Sequence, residues 1–205
     1  TRCLSDWSSD VCSSDLEWVM TREKITNEDY RPYFDHFDPD LYDPRQWARD
    51  ARAAGMQYAV ITTKHHDGFC LFDSALTDYK ATNTPGGRDL IRPFVEACRA
   101  EGLRIGFYYS LIDWHHPEFP VDGHHPRRDD LPFRHAVAGR DMAKYRAYLH
   151  GQVRELLTNY GQVDVLWLDF SYSWRDWGWS KGRVLTTGVR TSCSRWCVTC
   201  NQTCW

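Results

Sequence analysis

Residues Val163–Phe170 read VDVLWLDF, an apolar run of strand length that ends on a carboxylate. A short apolar run of this kind, entered from Gly161, predicts a strand inside a parallel sheet. Two similar segments lie upstream: Gln57–Thr63 (QYAVITT) and Arg104–Ser110 (RIGFYYS). QYAVITT has the β-branched, unalternating pattern expected of a strand covered on both faces. Helical patterns separate the three. Asp43–Gly55 begins with an Asp cap and a proline in its first turn and stops at glycine. Arg88–Gly102 also ends at glycine. Arg140–Tyr160 repeats apolar residues at helical spacing through Met142, Tyr145, Leu149, Val153 and Leu156. Strand–helix–strand–helix–strand order predicts right-handed parallel units, either a doubly wound sheet or part of a (β/α)8 barrel. No Gly-rich phosphate fingerprint follows any strand, which counts against a nucleotide-binding sheet.

The strand ends carry the chemistry. Lys64, His65, His66 and Asp67 follow the first strand; Asp113, Trp114, His115 and His116 follow the second; Asp169 closes the third. In a barrel these ends share the face that holds the active site. Taken singly, each has a plain structural reading: one histidine packed and one solvated, or an aspartate capping the next turn. Neighbours in an extended segment point to opposite sides, so His65 and His66 are not expected to share one metal. Hydrogen bonding to a polyhydroxylated ligand is less demanding, since a neutral imidazole both donates and accepts. DWHHP (Asp113–Pro117) offers similar groups with a stacking tryptophan. Trp167, two residues before Asp169, points the same way and sets an aromatic wall beside the carboxylate. The pair at His124 and His125 lies in a Pro/Gly/Asp/Arg-rich stretch and reads as surface loop.

The 205 residues are 42% hydrophobic and 26% charged, with net charge −3, which suits one soluble globular domain. No apolar run reaches membrane-spanning length, and no basic tract marks a nucleic-acid surface. The eight cysteines crowd the ends. Residues 1–16 contain the Ser/Asp-rich run DWSSDVCSSDL, which lacks periodicity and resembles a translated sequencing adapter; we expect a non-native segment there. In 183–205, Cys193, Cys197, Cys200 and Cys204 have the look of a thiolate zinc site. A competing reading is a shifted frame. Cys and Trp codons begin with TG, and a one-base shift turns each into Leu, Val or Met. Positions 193, 196, 197 and 200 then fall at i, i+3, i+4 and i+7, the stripe of an amphipathic helix. We expect an out-of-frame tail after Gly182.

The segments EWVM (Glu17–Met20), AGMQYAVITTKHHDGFCLFDS (Ala54–Ser74), TDY (Thr77–Tyr79), RDL (Arg88–Leu90), GFYYSLIDWHHP (Gly106–Pro117) and ELLTNYGQVDVLWLDF (Glu155–Phe170) resemble the α-L-fucosidases, family 29 of the glycoside hydrolases. The resemblance runs through nearly all of residues 17–182. It implies a (β/α)8 catalytic barrel that removes terminal L-fucose from oligosaccharides and glycoconjugates with retention of configuration. By this resemblance Asp169 is the nucleophile, and His65 and His66 bind fucose hydroxyls. Trp18 and Trp167 line the sugar pocket, with Tyr109 as a further lining residue. No metal or cofactor is implied. The compartment and oligomeric state stay open.

Two departures qualify the expectation. The family's first strand, with its Phe-Gly-x-Phe and His-Trp-Gly segments, has no counterpart before EWVM. The strand that should carry the acid/base glutamate falls beyond Gly182. Glu17 is a carboxylic acid in a matching segment, yet it is not assigned that role. Roughly strands 2–4 of eight are expected, and this chain by itself is expected to be inactive. Two rival readings stand beside the enzyme: a carbohydrate-binding relative without turnover, and a zinc-binding protein built on the C-terminal cysteines.

Overall fold

A computed structural model describes residues 17–172, 174–181 and 199–200. Three helices come first: α1 (Val19–Arg22), α2 (Asn27–Asp35) and α3 (Pro44–Ala53). Then β1 (Tyr58–Lys64), α4 (Ile91–Ala100), β2 (Arg104–Ser110), α5 (Leu131–Ala136), α6 (Met142–Asn159), β3 (Val165–Asp169) and the two-residue β4 (Thr199–Cys200) follow. The sheet order is β1-β2-β3-β4, and every pair is parallel. Each expected strand and helix of residues 43–170 is present.

Local chemistry sets the helix ends. The Asp43 carboxylate accepts from Gln46 N at 3.0 Å with Pro44 in the first turn, and Gly55 at φ 80° stops α3. The Asp141 carboxylate caps α6 at Ala143 N, 2.8 Å away. Past its other end, Gly161 adopts φ 75°, and Arg99 at the foot of α4 donates to the carbonyls of Tyr160 and Gln162. A cation on terminal carbonyls offsets the negative end of the helix dipole and ties α4 to α6. Helix α2, capped by Thr26 on Asp29 N, lay outside the sequence reading. Its apolar stripe is thin and carries Pro32 internally, which masks the period.

Helices cover one side of the sheet. Ile105, Phe107 and Tyr109 of β2 and Leu166 and Leu168 of β3 are buried in one cluster with Ile91, Phe94, Val95 and Cys98 of α4 and Tyr145, Leu149, Val153 and Leu156 of α6. Full burial of each large apolar side chain contributes about 1.5–3 kcal/mol. The other side is different. Val60, Tyr108, Val165, Trp167 and Asp169 are half-buried, and Thr62 is exposed. The expectation that QYAVITT is covered on both faces is therefore corrected: among the described residues a helical layer lies on one face only. Gly106 sits at the middle of the open face. A Cβ there would lie 2.6 Å from Val60 Cγ2 and 3.1 Å from Val165 Cβ, so the neighbouring valines lean across it.

Candidate active site

The site is assembled from the C-terminal ends of β1, β2 and β3, with Glu17 and Trp18, just before α1, reaching them. Asp169 ends β3. Its Oδ2 accepts the Tyr108 hydroxyl at 2.6 Å and its Oδ1 accepts Phe170 N at 2.8 Å. Phe170 adopts φ 72°, a strained value for an aromatic residue, just where the strand turns out of the sheet. Tyr108 also stacks on His65, with ring centroids 5.7 Å apart and planes 13° from parallel. His65 Nε2 lies 2.8 Å from Glu17 Oε1. One chain of contacts thus runs Glu17–His65–Tyr108–Asp169 across three strands.

A second group closes the wall. His66 bonds Ser110 Oγ through Nδ1 at 2.7 Å and meets the rings of Trp18 at 4.8 Å, Phe170 at 4.5 Å and Trp114 at 5.4 Å. Trp18 and Phe170 in turn touch His124, at 5.9 and 5.3 Å. Trp167 packs edge-on to Tyr108 at 6.0 Å, and its Nε1 is buried without a hydrogen-bond partner among the described residues.

Burial governs the protonation of these groups. It pushes the pKa of His66 well below the ordinary value, and the basic groups of His65, His124 and Lys64 act in the same direction. It also lowers His65, against the opposing pull of Glu17 and Asp169, and lowers His124. Tyr108 is raised, first by burial and then by its bond to Asp169 and that carboxylate's charge, so it keeps its proton and donates it. The result is a carboxylate held by two donors, beside neutral imidazoles and aromatic faces. That set suits a ligand with several hydroxyls and one apolar side.

Of the residues singled out from sequence, the structure gathers Asp169, His65, His66, Trp18 and Trp167. Tyr109 stands apart. It lies on the helix-covered face, fully buried, with its hydroxyl donating to Gln152 Oε1 at 2.7 Å. Strand alternation puts Tyr108, Ser110, Trp167 and Asp169 on one face and Tyr109 on the other. Tyr108 was not singled out from sequence: alternation sorts residues within a strand, but which residues of β2 lie beside Trp167 and Asp169 depends on the register between strands. His65 and His66 do not diverge as expected: their ring centroids are 3.9 Å apart, because β1 has already ended at Lys64.

The loop readings also change. His124, read as surface loop, joins the aromatic wall. Asp122 accepts from its N–H at 2.9 Å and the Thr21 hydroxyl donates to its carbonyl at 2.6 Å. His125 is buried. In DWHHP only Trp114 reaches the wall. His115 stacks on Tyr79 at 4.0 Å and His116 packs on Tyr148 at 4.3 Å. Asp113 pairs with Lys64 at 2.9 Å, with side chains 1% and 0% exposed. Burial opposes the ammonium, yet Asp113, Tyr145 and Cys70 outweigh it and hold its pKa above the usual value.

Among the described residues no cluster of three His, Cys, Asp or Glu could hold a metal ion. Cys193, Cys197 and Cys204 of the zinc reading lie outside the described residues, as does the segment 1–16, and Cys200 is described by its backbone alone. No described helix is long and apolar enough to cross a membrane.

The comparisons with known proteins agree. The Alpha-L-fucosidase family model matches residues 4–203. Putative alpha-L-fucosidase 1 of Oryza sativa subsp. japonica is 39% identical over 136 residues, 65% of this chain and 22% of that protein. Tissue alpha-L-fucosidase of Homo sapiens is 26% identical over 171 residues, 80% of this chain and 34% of that one. Among solved structures, alpha-L-fucosidase isoenzyme 1 from Paenibacillus thiaminolyticus is 64% identical with a TM-score of 0.74, covering 76% of this chain and 37% of that chain. A GH29 alpha-L-fucosidase from Bacteroides thetaiotaomicron, trapped as a covalent intermediate with 2-fluoro-fucosyl fluoride, is 31% identical with a TM-score of 0.63 over 76% of this chain and 33% of that one. This chain spans between 22% and 35% of the length of the curated relatives from rice and mouse. With a family model matched from end to end of the folded region and close structural relatives, the chain belongs to the α-L-fucosidase family.

Proposed function

We propose that these residues are part of a retaining exo-α-L-fucosidase that takes terminal L-fucose from oligosaccharides and glycoconjugates. Residues 17–182 are its catalytic portion, strands 2–4 of a (β/α)8 barrel. Sequential parallel order with the polar groups gathered at the C-terminal ends supports that architecture. The observation that carries the function is the Asp169 carboxylate, fixed by Tyr108 and Phe170 N beside a wall of His65, His66, Trp18 and Trp167 in a chain of this family.

The chemistry follows from that placement. Asp169 attacks the anomeric carbon as the glycosidic bond breaks, and the sugar is held as a glycosyl ester. A second carboxylic acid, about 5–5.5 Å away in retaining enzymes, protonates the departing oxygen and then activates water to cleave the ester. Two donors on the Asp169 carboxylate orient it before attack, so little reorganisation is left for the reaction. The neutral imidazoles exchange hydrogen bonds with the sugar hydroxyls, and the aromatic faces cover its apolar side. Glu17 accepts from His65 Nε2, which engages it in orienting that ring; the acid/base role is not given to it. The covalent intermediate trapped in the Bacteroides relative supports a nucleophilic route.

The test is Asp169→Gly in the full-length enzyme that carries these residues. Hydrolysis of an aryl α-L-fucoside is expected to fall by several orders of magnitude, with added azide restoring part of it. Unchanged hydrolysis removes Asp169 as nucleophile. Absent hydrolysis before substitution, with L-fucose still bound, favours a binding relative without turnover.

A further inference from the structure

Resting on the fucoside reading of this site, the geometry points to Ser110 as a positioning residue that locks His66 in its Nδ1–H form, so that Nε2 meets a sugar hydroxyl as an acceptor only. The Ser110 hydroxyl has a single hydrogen. It donates that hydrogen to the carbonyl of Ile112 at 2.8 Å, while the same oxygen receives Ile112 N at 3.2 Å. Ile112 is fully buried, and no other donor to its carbonyl is found among the described residues. If the hydroxyl turned toward His66, that carbonyl would be left unpaired inside the protein, which folded chains avoid. The 2.7 Å contact between Ser110 Oγ and His66 Nδ1 therefore needs its hydrogen from the imidazole.

A neutral imidazole carries one N–H. With that hydrogen on Nδ1, Nε2 keeps its lone pair. Nothing around the ring favours a second proton: the titratable groups acting on it are His65 and Lys64 from its own segment and His124 from the facing loop, all basic. Trp18, Trp114 and Phe170 supply only ring contacts. Nε2 makes no hydrogen bond among the described residues, so it is the nitrogen left for a ligand. His65 next to it has the reverse arrangement, since its Nε2 faces the Glu17 carboxylate and must donate there. The two adjacent imidazoles thus serve unlike ends of hydrogen bonds. A ligand group that can donate, such as a sugar hydroxyl, satisfies His66; a group that only accepts does not.

The test is a histidine 15N spectrum of the protein, in which pyrrole-type and pyridine-type nitrogens resonate apart. His66 is expected to show a protonated Nδ1 and a pyridine-type Nε2, and added L-fucose to move the Nε2 resonance upfield as it accepts a hydrogen bond. Ser110→Ala is expected to let the two tautomers mix and to weaken L-fucose binding severalfold, in proportion to the lost fraction of the competent form. An Nε2–H tautomer in the unsubstituted protein overturns the lock, whatever the variant does. A correct tautomer whose Nε2 stays unmoved while L-fucose shifts other site residues overturns the acceptor role. If L-fucose shifts no site residue, the fucoside reading itself fails, and the tautomer still decides the lock separately.

Discussion

The tips of the strands carry charged side chains on both sides of the sheet, and the two sides treat them in opposite ways. On the helix-covered side Lys64 and Asp113 are sealed from water. The ammonium sits over the Tyr109 ring at 4.4 Å, and the second aspartate oxygen accepts the N–H groups of His115 and His116 at 3.0 and 2.8 Å. On the open side Asp169 is half-buried and accepts two donors. Both are aspartates at a strand end. One spends its bonding capacity on Lys64 and on building the loop after β2; the other accepts only two donors among the described residues. Proximity to a strand end does not decide how far a carboxylate is sealed from water; the face of the sheet on which it stands, and what covers that face, does.

That distinction can be broken most sharply at Asp113. Asp113→Ala leaves the Lys64 ammonium buried without its partner, and the fold is expected to lose about 3–5 kcal/mol in chemical denaturation. A loss below about 1 kcal/mol would mean that the lysine reaches water or sheds its proton easily, and the side would not be sealed. Next in size is Tyr108→Phe. It removes a donor to a carboxylate, an interaction worth about 1.5–3 kcal/mol, so under the proposed function kcat/KM of the full-length enzyme for an aryl α-L-fucoside is expected to drop at least about tenfold. Folding stability should change little, because Tyr108 stands on the open face. Tyr109→Phe is its mirror. It takes the hydroxyl from Gln152 inside the core and is expected to lower stability by about 1–2 kcal/mol with hydrolysis unaltered. If the two variants exchange these outcomes, the assignment of faces is wrong.

The smallest effect is a slope. Burial, reinforced by Arg140, Arg127 and Arg128, pushes the His125 pKa down to about 3. The unfolded chain takes up this proton near pH 6.5 while the folded chain refuses it, so stability falls as pH drops from about 6.5 toward 3. Each such proton contributes up to about 1.4 kcal/mol per pH unit. His125→Asn, whose side-chain oxygen can still accept from Arg127 N, is expected to flatten the curve by one proton in urea titrations across this range. Identical slopes would show that His125 is already charged in the fold.

The order of elements was readable because their signals are local. Asp43 and Asp141 cap helices with their own side chains, Gly161 ends one, and the apolar runs of β2 and β3 need only their neighbours' sequence to be recognised. Sorting side chains between faces was harder. The register shifts between Thr62 and Lys64, so that Lys64 stands opposite Tyr109 rather than on the face of Thr62 and Tyr108. Counting by twos from Thr62 sends Lys64 to the wrong side. An irregularity of one residue is invisible in a list of side chains, because it depends on how two strands are laid together. His124 was missed for a related reason. Its position depends on Thr21, more than a hundred residues earlier, and on Asp122, and no local pattern announces either contact.

Strand β2 has a strand on each side, whereas beyond β1 the described residues offer only an isolated bridge between Lys64 and Cys70. Every amide of β2 therefore has a strand to pair with, whichever side it points to, whereas outward-pointing amides of β1 have none. Protons on β2 would trade places with deuterium from the solvent later than those on the outer side of β1. Tyr108 and Ser110, whose side chains meet Asp169 and His66, ride on a slower clock than the edge. They keep their places through the brief openings that let the edge come and go.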